Sequence, residues 1–226
     1  NHLDRKTLDA LKSQGVSRLS VGVQSFDDAL LGEMGRLRRY GSGAEMIDRL
    51  TAARGLFNTL NIDMIFNLPH QSPESLERDL DILTSKPIAD QVSFYPLMGG
   101  TTTTKAMHKD MGEVTHDRER RSYELILDRM VPIYQPSTVW CFSRTADLVD
   151  EYIVDHDDYI GVGSGAFSYV DGTFYSNSFS INRYIRQIAG GRSGIVMGRT
   201  LEESERLRYE LLIRLFALTL NPKQLR

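Results

Sequence analysis

The fold of this chain is decided by two segments, RLSVGVQSF at residues Arg18–Phe26 and NIDMIFNLP at residues Asn61–Pro69. Each alternates apolar and polar side chains, which is the pattern of a β-strand. In the second segment Asn61 and Asp63 share one face. The opposite face is apolar and is formed by Leu60, Ile62, Met64 and Phe66. A carboxylate in the middle of one strand face is the feature from which the fold prediction follows.

Helical patterns flank both strands, and a third strand is predicted at Gln91–Tyr95. Parallel strands that helices cover on both faces normally read as continuous apolar runs. A covered strand with a polar second face therefore borders a space other than an apolar core. The lumen of an α/β barrel, where ligands bind near the carboxyl ends of the strands, is the simplest such space. Three strands at intervals of about forty residues predict a parallel α/β sheet or barrel. Since three strands cannot close a barrel, a barrel here would be the later half of a partial (β/α) TIM-like barrel.

Residues 1–189 are predicted to form this part of the barrel. The glycine-rich segment 190–198 is predicted to be a linker. Thr200 and Glu203 fit a capping box, which predicts that a mostly helical C-terminal domain begins within residues 199–226. The chain lacks an initiator methionine and stops just past Asn221 and Pro222, a pair suited to the start of another helix. We therefore expect these residues to be part of a longer polypeptide.

The composition is that of a globular protein, with 41% hydrophobic residues and a net charge of -3. This charge gives no electrostatic footprint for nucleic acid or for an anionic membrane. The apolar stretches are too short to span a bilayer, and we expect a cytoplasmic location. One cysteine, Cys141, excludes an internal disulfide and a cysteine-built metal cluster within the chain. The five histidines show no metal-ligand spacing, so no metal-binding residue is predicted.

Asp63 is the sharpest candidate for a functional residue. A buried carboxylate costs several kcal/mol unless it is paired or hydrogen-bonded, so Asp63 needs a partner. That partner is either an Arg of the protein or the hydroxyls or amine of a ligand, and strand geometry alone leaves both open. Gln24 ends the first strand on its polar face, where it either binds a polar ligand or caps the following turn. Arg36 lies in an Arg-rich loop. Its guanidinium group is either solvated or makes two hydrogen bonds to a ligand carboxylate.

The segment Gly161–Ala166 (GVGSGA) formally fits the dinucleotide-binding fingerprint. That fingerprint requires a helix after the glycines, whereas residues 168–172 predict a hairpin. The segment is therefore interpreted as a glycine loop that lets backbone approach a ligand closely, or as a plain tight turn. Cys141, between Trp140 and Phe142, is interpreted as a small buried side chain rather than a nucleophile. No catalytic residue is assigned from the sequence.

Taken in order, these segments resemble the HemN-like branch of the radical S-adenosylmethionine (SAM) enzymes. The branch includes oxygen-independent coproporphyrinogen III oxidases, HemW haem chaperones and the ChuW/HutW enzymes of anaerobic haem utilisation. The resemblance extends over about Leu3 to Leu220. The matching segments are RLSVGVQSF, then Gly35-Arg36, then NIDMIFNLP with QSPES at 71–75, VSFY at 92–95 and YIGVGSGAFS at 159–168.

The resemblance implies a partial barrel that binds SAM and a [4Fe-4S] cluster, whose CxxxCxxC ligands would lie upstream of residue 1. By position, Asp63 matches the residue that takes the ribose hydroxyls and Arg36 the one that takes the methionyl carboxylate. Gln24 matches a third SAM-binding residue. Met98 and Phe167 fall where the family contacts SAM, although their types differ from the Ala and Ile of the coproporphyrinogen oxidases.

Several departures from the family pattern resemble the ChuW/HutW group most. Asn67 replaces the usual Gly before Leu-Pro, residues 137–144 replace a segment close to YEISNFAR, and Phe167 replaces the usual His. The resemblance therefore implies anaerobic opening of haem with methyl transfer and release of iron. It would proceed by reductive cleavage of SAM to a 5′-deoxyadenosyl radical, with a second SAM as methyl donor.

Two alternatives use the same scaffold. One is an oxygen-independent coproporphyrinogen III oxidase, which carries out an oxidative decarboxylation. The other is a HemW-like haem chaperone, which is a binding protein. Each of the three functions implies haem or a related tetrapyrrole as partner, and the enzymes also need a reductant such as flavodoxin.

Overall fold

The structure is a computed structural model that describes residues 3–86, 88–98, 115–145 and 158–220. Contacts divide the chain into two compact units, Asn1–Val149 and Asp150–Arg226. None of the helices in the described ranges is long and apolar enough to cross a bilayer.

The first unit alternates helices and strands. In chain order its elements are α1 (Arg5–Ser13), β1 (Arg18–Gln24), α2 (Asp28–Glu33), α3 (Leu37–Tyr40), α4 (Gly43–Ala53), β2 (Thr59–Phe66), α5 (Pro73–Ser85), β3 (Gln91–Pro96), α6 (His116–Met130), β4 (Gln135–Pro136) and β5 (Cys141–Ser143). They build a sheet with the strand order β1-β2-β3-β5-β4. The first three strands are parallel, as predicted, and β5 pairs antiparallel with both β3 and β4.

The helices of this unit begin where the sequence provides N-caps. Ser42 and Glu45 form a capping box at the start of α4. The hydroxyl of Ser72 accepts the amide of Ser75, and Pro73 occupies the first helical position of α5. Both devices satisfy amide groups that the first helical turn leaves without partners. The residue types at Ser72 and Pro73 thus account for the start of α5.

The core lies on the apolar face of β2 and β3. Leu60, Ile62, Met64 and Phe66 are each at most 2% exposed, as the alternation of the sequence predicts. Helix α5 covers this face with Leu76, Leu80 and Leu83, which are equally buried. Burial of each such side chain stabilises the fold by about 1.5–3 kcal/mol, so this layer fixes the register of the sheet.

At the end of β1 the pairing with β2 becomes irregular, although burial alternates along the strand as predicted. Gly22 pairs with Asp63, but the next pair is Gln24 with Met64, so Val23 is an additional residue in a β-bulge. Val21 and Val23 are both buried, and Gln24 adopts a left-handed backbone with φ of +79°. A bulge of this kind re-aims the side chains that follow it. The orientation of Gln24 is thus set by the bulge and not by simple alternation.

The second unit contains a three-stranded antiparallel sheet. Its elements are β6 (Phe167–Val170), β7 (Thr173–Asn177), α7 (Ile181–Ala189), β8 (Ile195–Thr200) and α8 (Glu203–Phe216). The strand order is β6-β7-β8, and Tyr159 adds an antiparallel bridge to Tyr169. The predicted hairpin after the glycine loop is confirmed.

Two predictions for this unit are corrected. The predicted linker at 190–198 is a turn only as far as Gly194, because Ile195, Val196 and Met197 form a strand that pairs with β7. The capping box of α8 is formed by Glu202 and Glu205, not by Thr200 and Glu203. The separate helical domain at 199–226 stays a prediction, and residues 221–226 lie outside the described ranges.

Candidate functional site

A network of hydroxyl and amide groups surrounds Asp63 on the polar face of the parallel strands. The hydroxyl of Ser20 donates to Asp63 Oδ2 at 2.8 Å, and Asn61 Nδ2 donates to Asp63 Oδ1 at 2.7 Å. Asn61 Nδ2 also donates to Ser20 Oγ at 2.9 Å, and its Oδ1 accepts the hydroxyl of Ser93 at 3.2 Å. Each carboxylate oxygen of Asp63 therefore receives one hydrogen bond from the residues that the structure describes.

The donors and acceptors of this network can be assigned from its hydrogen bonds. Because Ser20 Oγ accepts a hydrogen bond from Asn61, its own proton points to Asp63. Both donors to Asp63 are neutral, and none of the ion pairs between described residues includes Asp63. Ionised carboxylate oxygens accept about two hydrogen bonds each, so Asp63 keeps acceptor capacity on both oxygens. The arrangement suits a ligand with two hydroxyl donors.

Burial shifts the ionisation of this carboxyl group. Desolvation raises the pKa of Asp63, and the hydroxyl of Ser20, the charge of Arg18 and the amide of Asn61 counteract only part of the rise. A ligand that donates hydrogen bonds to the ionised carboxylate would lower the pKa again. The structure thus holds an acidic group whose burial is incompletely compensated by its protein neighbours.

Gln24 and Arg36 meet beside Asp63 at Gly22. Arg36 Nη2 donates to the carbonyl oxygen of Gly22 at 2.7 Å. A Cβ atom on Gly22 would lie 2.7 Å from Gln24 Nε2 and 3.9 Å from Arg36 Nη2, so both side chains reach the same glycine. Gly22 in turn pairs with Asp63 in the parallel register. The fold therefore brings three of the predicted site residues to one place at the end of β1.

Arg36 keeps an unused donor at this place. Its Nε is buried and has no hydrogen-bond partner among the described residues. The guanidinium carbon lies 4.7 Å from the ring centre of Tyr40, which orients the group by a cation–π contact. Burial lowers the pKa of Arg36, and the charge of Arg39 acts in the same direction. A ligand carboxylate would satisfy the free donor and offset this desolvation.

The remaining two predicted residues are more exposed. Met98 follows β3 and is 64% exposed. Phe167 begins β6 in the second unit, is 50% exposed and makes an edge-to-face contact with Phe179 at 5.8 Å between ring centres. Their contacts with SAM stay predictions.

The glycine loop is a structured turn of the second unit. Asn177 Nδ2 donates to the carbonyl oxygens of Gly161, at 3.3 Å, and Gly163, at 2.9 Å. The amide of Gly163 donates to the hydroxyl of Tyr184 at 3.2 Å. The strand β6 follows the loop, where a dinucleotide-binding fingerprint would need a helix. The segment therefore lacks the helix that the dinucleotide-binding fingerprint requires.

No metal site is found in the described part of the chain. There, no group of three His, Cys, Asp or Glu side chains is placed to hold a metal ion. Cys141 lies in β5 and is fully buried, as expected for a small apolar side chain. A [4Fe-4S] cluster is therefore not accommodated by the described residues.

Several residues of the site are not identified by the sequence analysis. Alternation places Ser20 and Asn61 on the face of Asp63, but nothing in the sequence links Ser93 to them. Arg118 of α6 is a further example, since its guanidinium donates to Asn67 Oδ1 at 3.0 Å and to the carbonyl oxygens of Leu68 and Pro69. Arg118 thus holds the loop after β2, although α5 and β3 separate this loop from α6 in the chain. The spacing of residues along the chain cannot predict such a contact.

A cleft of about 540 Å³ opens on the other side of the sheet, beside the ends of β2 and β3. None of the five predicted site residues lines it. Its walls are formed by Phe66, Pro96, His116, Asp117, Glu119, Arg120, Tyr123, Val139 and Trp140. It is separate from the network around Asp63.

Comparison with known proteins links the chain to tetrapyrrole proteins. No family model matches it. It is 29% identical over 198 residues to the haem chaperone HemW of Bacillus subtilis, covering 83% of this chain and 50% of that protein. It is 26% identical over 225 residues to the oxygen-independent coproporphyrinogen III oxidase of Cereibacter sphaeroides, covering 91% and 49%. The chain thus spans about half the length of the curated relatives it matches.

The fold is also that of a solved structure. The coproporphyrinogen III oxidase HemN of Escherichia coli, described as a radical SAM enzyme, matches with a TM-score of 0.77 at 22% identity, covering 96% of this chain and 53% of that one. This likeness confirms the predicted α/β fold class and agrees with a partial barrel.

Proposed function

We propose that this chain is the later part of a HemN/HemW-like radical SAM protein, and that the residues around Gly22 bind SAM. Sequence similarity to a HemW chaperone and to a coproporphyrinogen oxidase, together with the shared fold, supports this family. The activity and the tetrapyrrole partner are part of the proposal.

One observation carries the assignment of the SAM site. Asp63 receives only neutral hydrogen-bond donors from the described residues and keeps acceptor capacity on both oxygens. The two ribose hydroxyls of SAM would supply two donors to these oxygens. Arg36, with its unpartnered Nε, would take the methionyl carboxylate, and the amide of Gln24 would contact a further polar group of the ligand.

The cluster must be held elsewhere. The family resemblance implies that the CxxxCxxC ligands of a [4Fe-4S] cluster belong to another part of the protein, and residues 1–226 contain a single cysteine. When bound, SAM and the cluster would supply one-electron chemistry to a tetrapyrrole. The residues of this chain bind and orient SAM, and their buried network keeps the carboxylate of Asp63 directed at the sugar.

Within this family we propose anaerobic opening of haem with methyl transfer and release of iron. The support is in the sequence departures at Asn67, at residues 137–144 and at Phe167. Asn67 adopts a left-handed backbone with φ of +61°, a conformation that Asn adopts more often than most residues other than Gly. The printed functions of two relatives favour the alternatives, a haem chaperone in B. subtilis and a coproporphyrinogen oxidase in C. sphaeroides.

Three assays on the full-length, cluster-reconstituted protein separate these functions. With haem, SAM and a reductant, ring opening gives 5′-deoxyadenosine and loss of the Soret band. An intact Soret band with stable haem binding and no productive turnover of SAM identifies a chaperone instead. Release of carbon dioxide from coproporphyrinogen III identifies an oxidase.

Gly22→Ala is expected to weaken SAM binding about tenfold with little loss of stability. The added methyl group would lie 2.7 Å from Gln24 Nε2, so the flexible amide must move away from the position that it shares with Arg36. Calorimetric titration of SAM into the full-length variant measures the effect.

The double variant Gly22→Ala/Gln24→Ala provides the control for this substitution. If Gly22 acts through the Gln24 amide, the double variant binds SAM no more weakly than Gln24→Ala alone. Fully additive losses would contradict the explanation.

A further inference from the structure

A buried carboxylate in α5 contacts the turn that follows β1. Asp79 is 1% exposed and makes no ion pair with any described residue. Its Oδ2 accepts the hydroxyl of Ser25 at 2.7 Å, and its Oδ1 accepts the amide of Phe26 at 2.8 Å. These two residues come directly after Gln24. The carboxylate thus holds the backbone next to a predicted SAM ligand without reaching the SAM site itself.

The same turn is held by its other neighbours. Ser75 Oγ and Arg78 Nη2 of α5 donate to Asp27 Oδ2 at 2.8 and 3.0 Å. On the opposite side, the amide of Gly43 in α4 donates to Asp28 Oδ1 at 2.8 Å. Among these contacts, those of Asp79 are the nearest in sequence to Gln24 and the most deeply buried.

Gln24 needs such support because its backbone is unusual. Its φ of +79° lies in the left-handed region, which a residue with a side chain occupies only where its surroundings determine it. This conformation places the amide beside Gly22 and Arg36. Release of the following turn would let Gln24 return to an ordinary extended conformation and direct its amide elsewhere.

We propose that Asp79 is a positioning residue, which fixes the Ser25–Asp27 turn and thereby holds Gln24 in the conformation that binds SAM. This inference rests on the proposed function of the site. The role of Asp79 is to make one hydrogen bond to Ser25 and one to Phe26, and a neutral side chain of the same shape that keeps both contacts can fill it.

The electrostatics of the carboxyl group agree with this role. The pKa of Asp79 is raised to about 6, chiefly by burial and in smaller part by the charge of Asp27. The hydroxyl of Ser25, the amide of Phe26 and the charge of Arg78 act against this rise. Burial makes the negative charge of Asp79 unfavourable. The stabilising contribution of this residue therefore comes from its two hydrogen bonds, to Ser25 and to Phe26. Asp79→Asn keeps an acceptor for Phe26 and can donate to Ser25 Oγ.

The test uses the full-length, cluster-reconstituted protein with Asp79→Ala and Asp79→Asn. Calorimetry measures the affinity for SAM, and hydrogen exchange of the peptide over residues 24–28 measures how firmly the turn is held. Asp81→Ala is the control, because Asp81 lies on the same helix with its side chain 59% exposed. If Asp79→Ala does not fold, Ser25→Ala removes one of the two hydrogen bonds and takes its place.

We expect Asp79→Ala to weaken SAM binding about tenfold or more and to accelerate exchange in the turn, whereas Asp79→Asn and Asp81→Ala stay near the wild type. Faster exchange with unchanged affinity would overturn the positioning role, and so would unchanged exchange. An Asn variant as weak as the Ala variant would also overturn it. A wild-type protein that fails to bind SAM would overturn the proposed function itself, a result that the other failures do not produce.

Discussion

Asp63→Ala is expected to weaken the binding of SAM to the full-length, cluster-reconstituted protein by a factor of about 100 or more. The ribose hydroxyls would make two hydrogen bonds to a charged acceptor, each of which contributes about 1.5–3 kcal/mol. The loss should exceed that of any neighbouring substitution, because Asp63 is the member of the network that we propose to contact the ribose. Isothermal titration calorimetry measures the affinity directly.

Ser93→Ala is the graded control for this prediction. Ser93 donates to Asn61 and not to Asp63, so its removal loosens the network one hydrogen bond away from the carboxylate. We expect a loss of SAM affinity of less than about tenfold. A purely structural Asp63 gives the opposite pattern: Asp63→Ala would lower the melting temperature and leave SAM affinity unchanged.

The same site should be sensitive to pH. Hydroxyl donors bind the ionised form of Asp63, and burial raises the pKa of that carboxyl group above its ordinary value. SAM affinity should therefore be complete above the raised pKa and should fall as the pH is lowered through it, at a higher pH than for an exposed Asp. Titrations at a series of pH values should show this dependence in the wild type. If Asp63→Ala shows the same dependence, another group is responsible.

The part of the fold that alternation and caps encode can be predicted from the sequence. The bounds of β2 and the start of α5 at Ser72 and Pro73 follow from side-chain period and from the chemistry of the N-cap. The sequence predicts a linker where β8 begins, because the three glycines of residues 190–194 are typical of a linker. Its apolar residues become a strand only through pairing with β7, a long-range contact.

The candidate site divides in the same way. The position of Asp63 on a polar strand face is a local property, and the sequence predicts it. The bulge at Val23 is not local in this sense, because it depends on how Gly22 and Gln24 pair with β2. Asp79 and Arg118 act on loops that lie more than forty residues away in the chain. Only the packed structure brings such residues together, so one sequence alone gives no signal for them.

Gly43→Ala should have the largest effect on stability of the substitutions considered. Gly43 is the first residue of α4, and a Cβ there would lie 2.0 Å from the carbonyl oxygen and 2.8 Å from the carbonyl carbon of Phe26. Both atoms belong to the backbone, so no side-chain rotation relieves the clash, and α4 must move away from the turn. Overpacking of this kind costs about 1–3 kcal/mol and occasionally more, and we expect the upper end of that range. Unfolding of the full-length protein in denaturant measures the loss.

Gly32→Ala is the matched control, because it adds the same methyl group to a helix of the same unit. There the new Cβ would lie 3.9 Å from a terminal methyl carbon of Leu37, an ordinary contact. Its stability should equal or slightly exceed that of the wild type, since Ala in a helix is favoured over Gly by about 0.5–1 kcal/mol. Since the clash displaces the turn that Asp79 also contacts, Gly43→Ala should weaken SAM binding as well, whereas Gly32→Ala should not. Equal stability of the two variants would mean that α4 and the turn are less closely packed than the distances to Phe26 indicate.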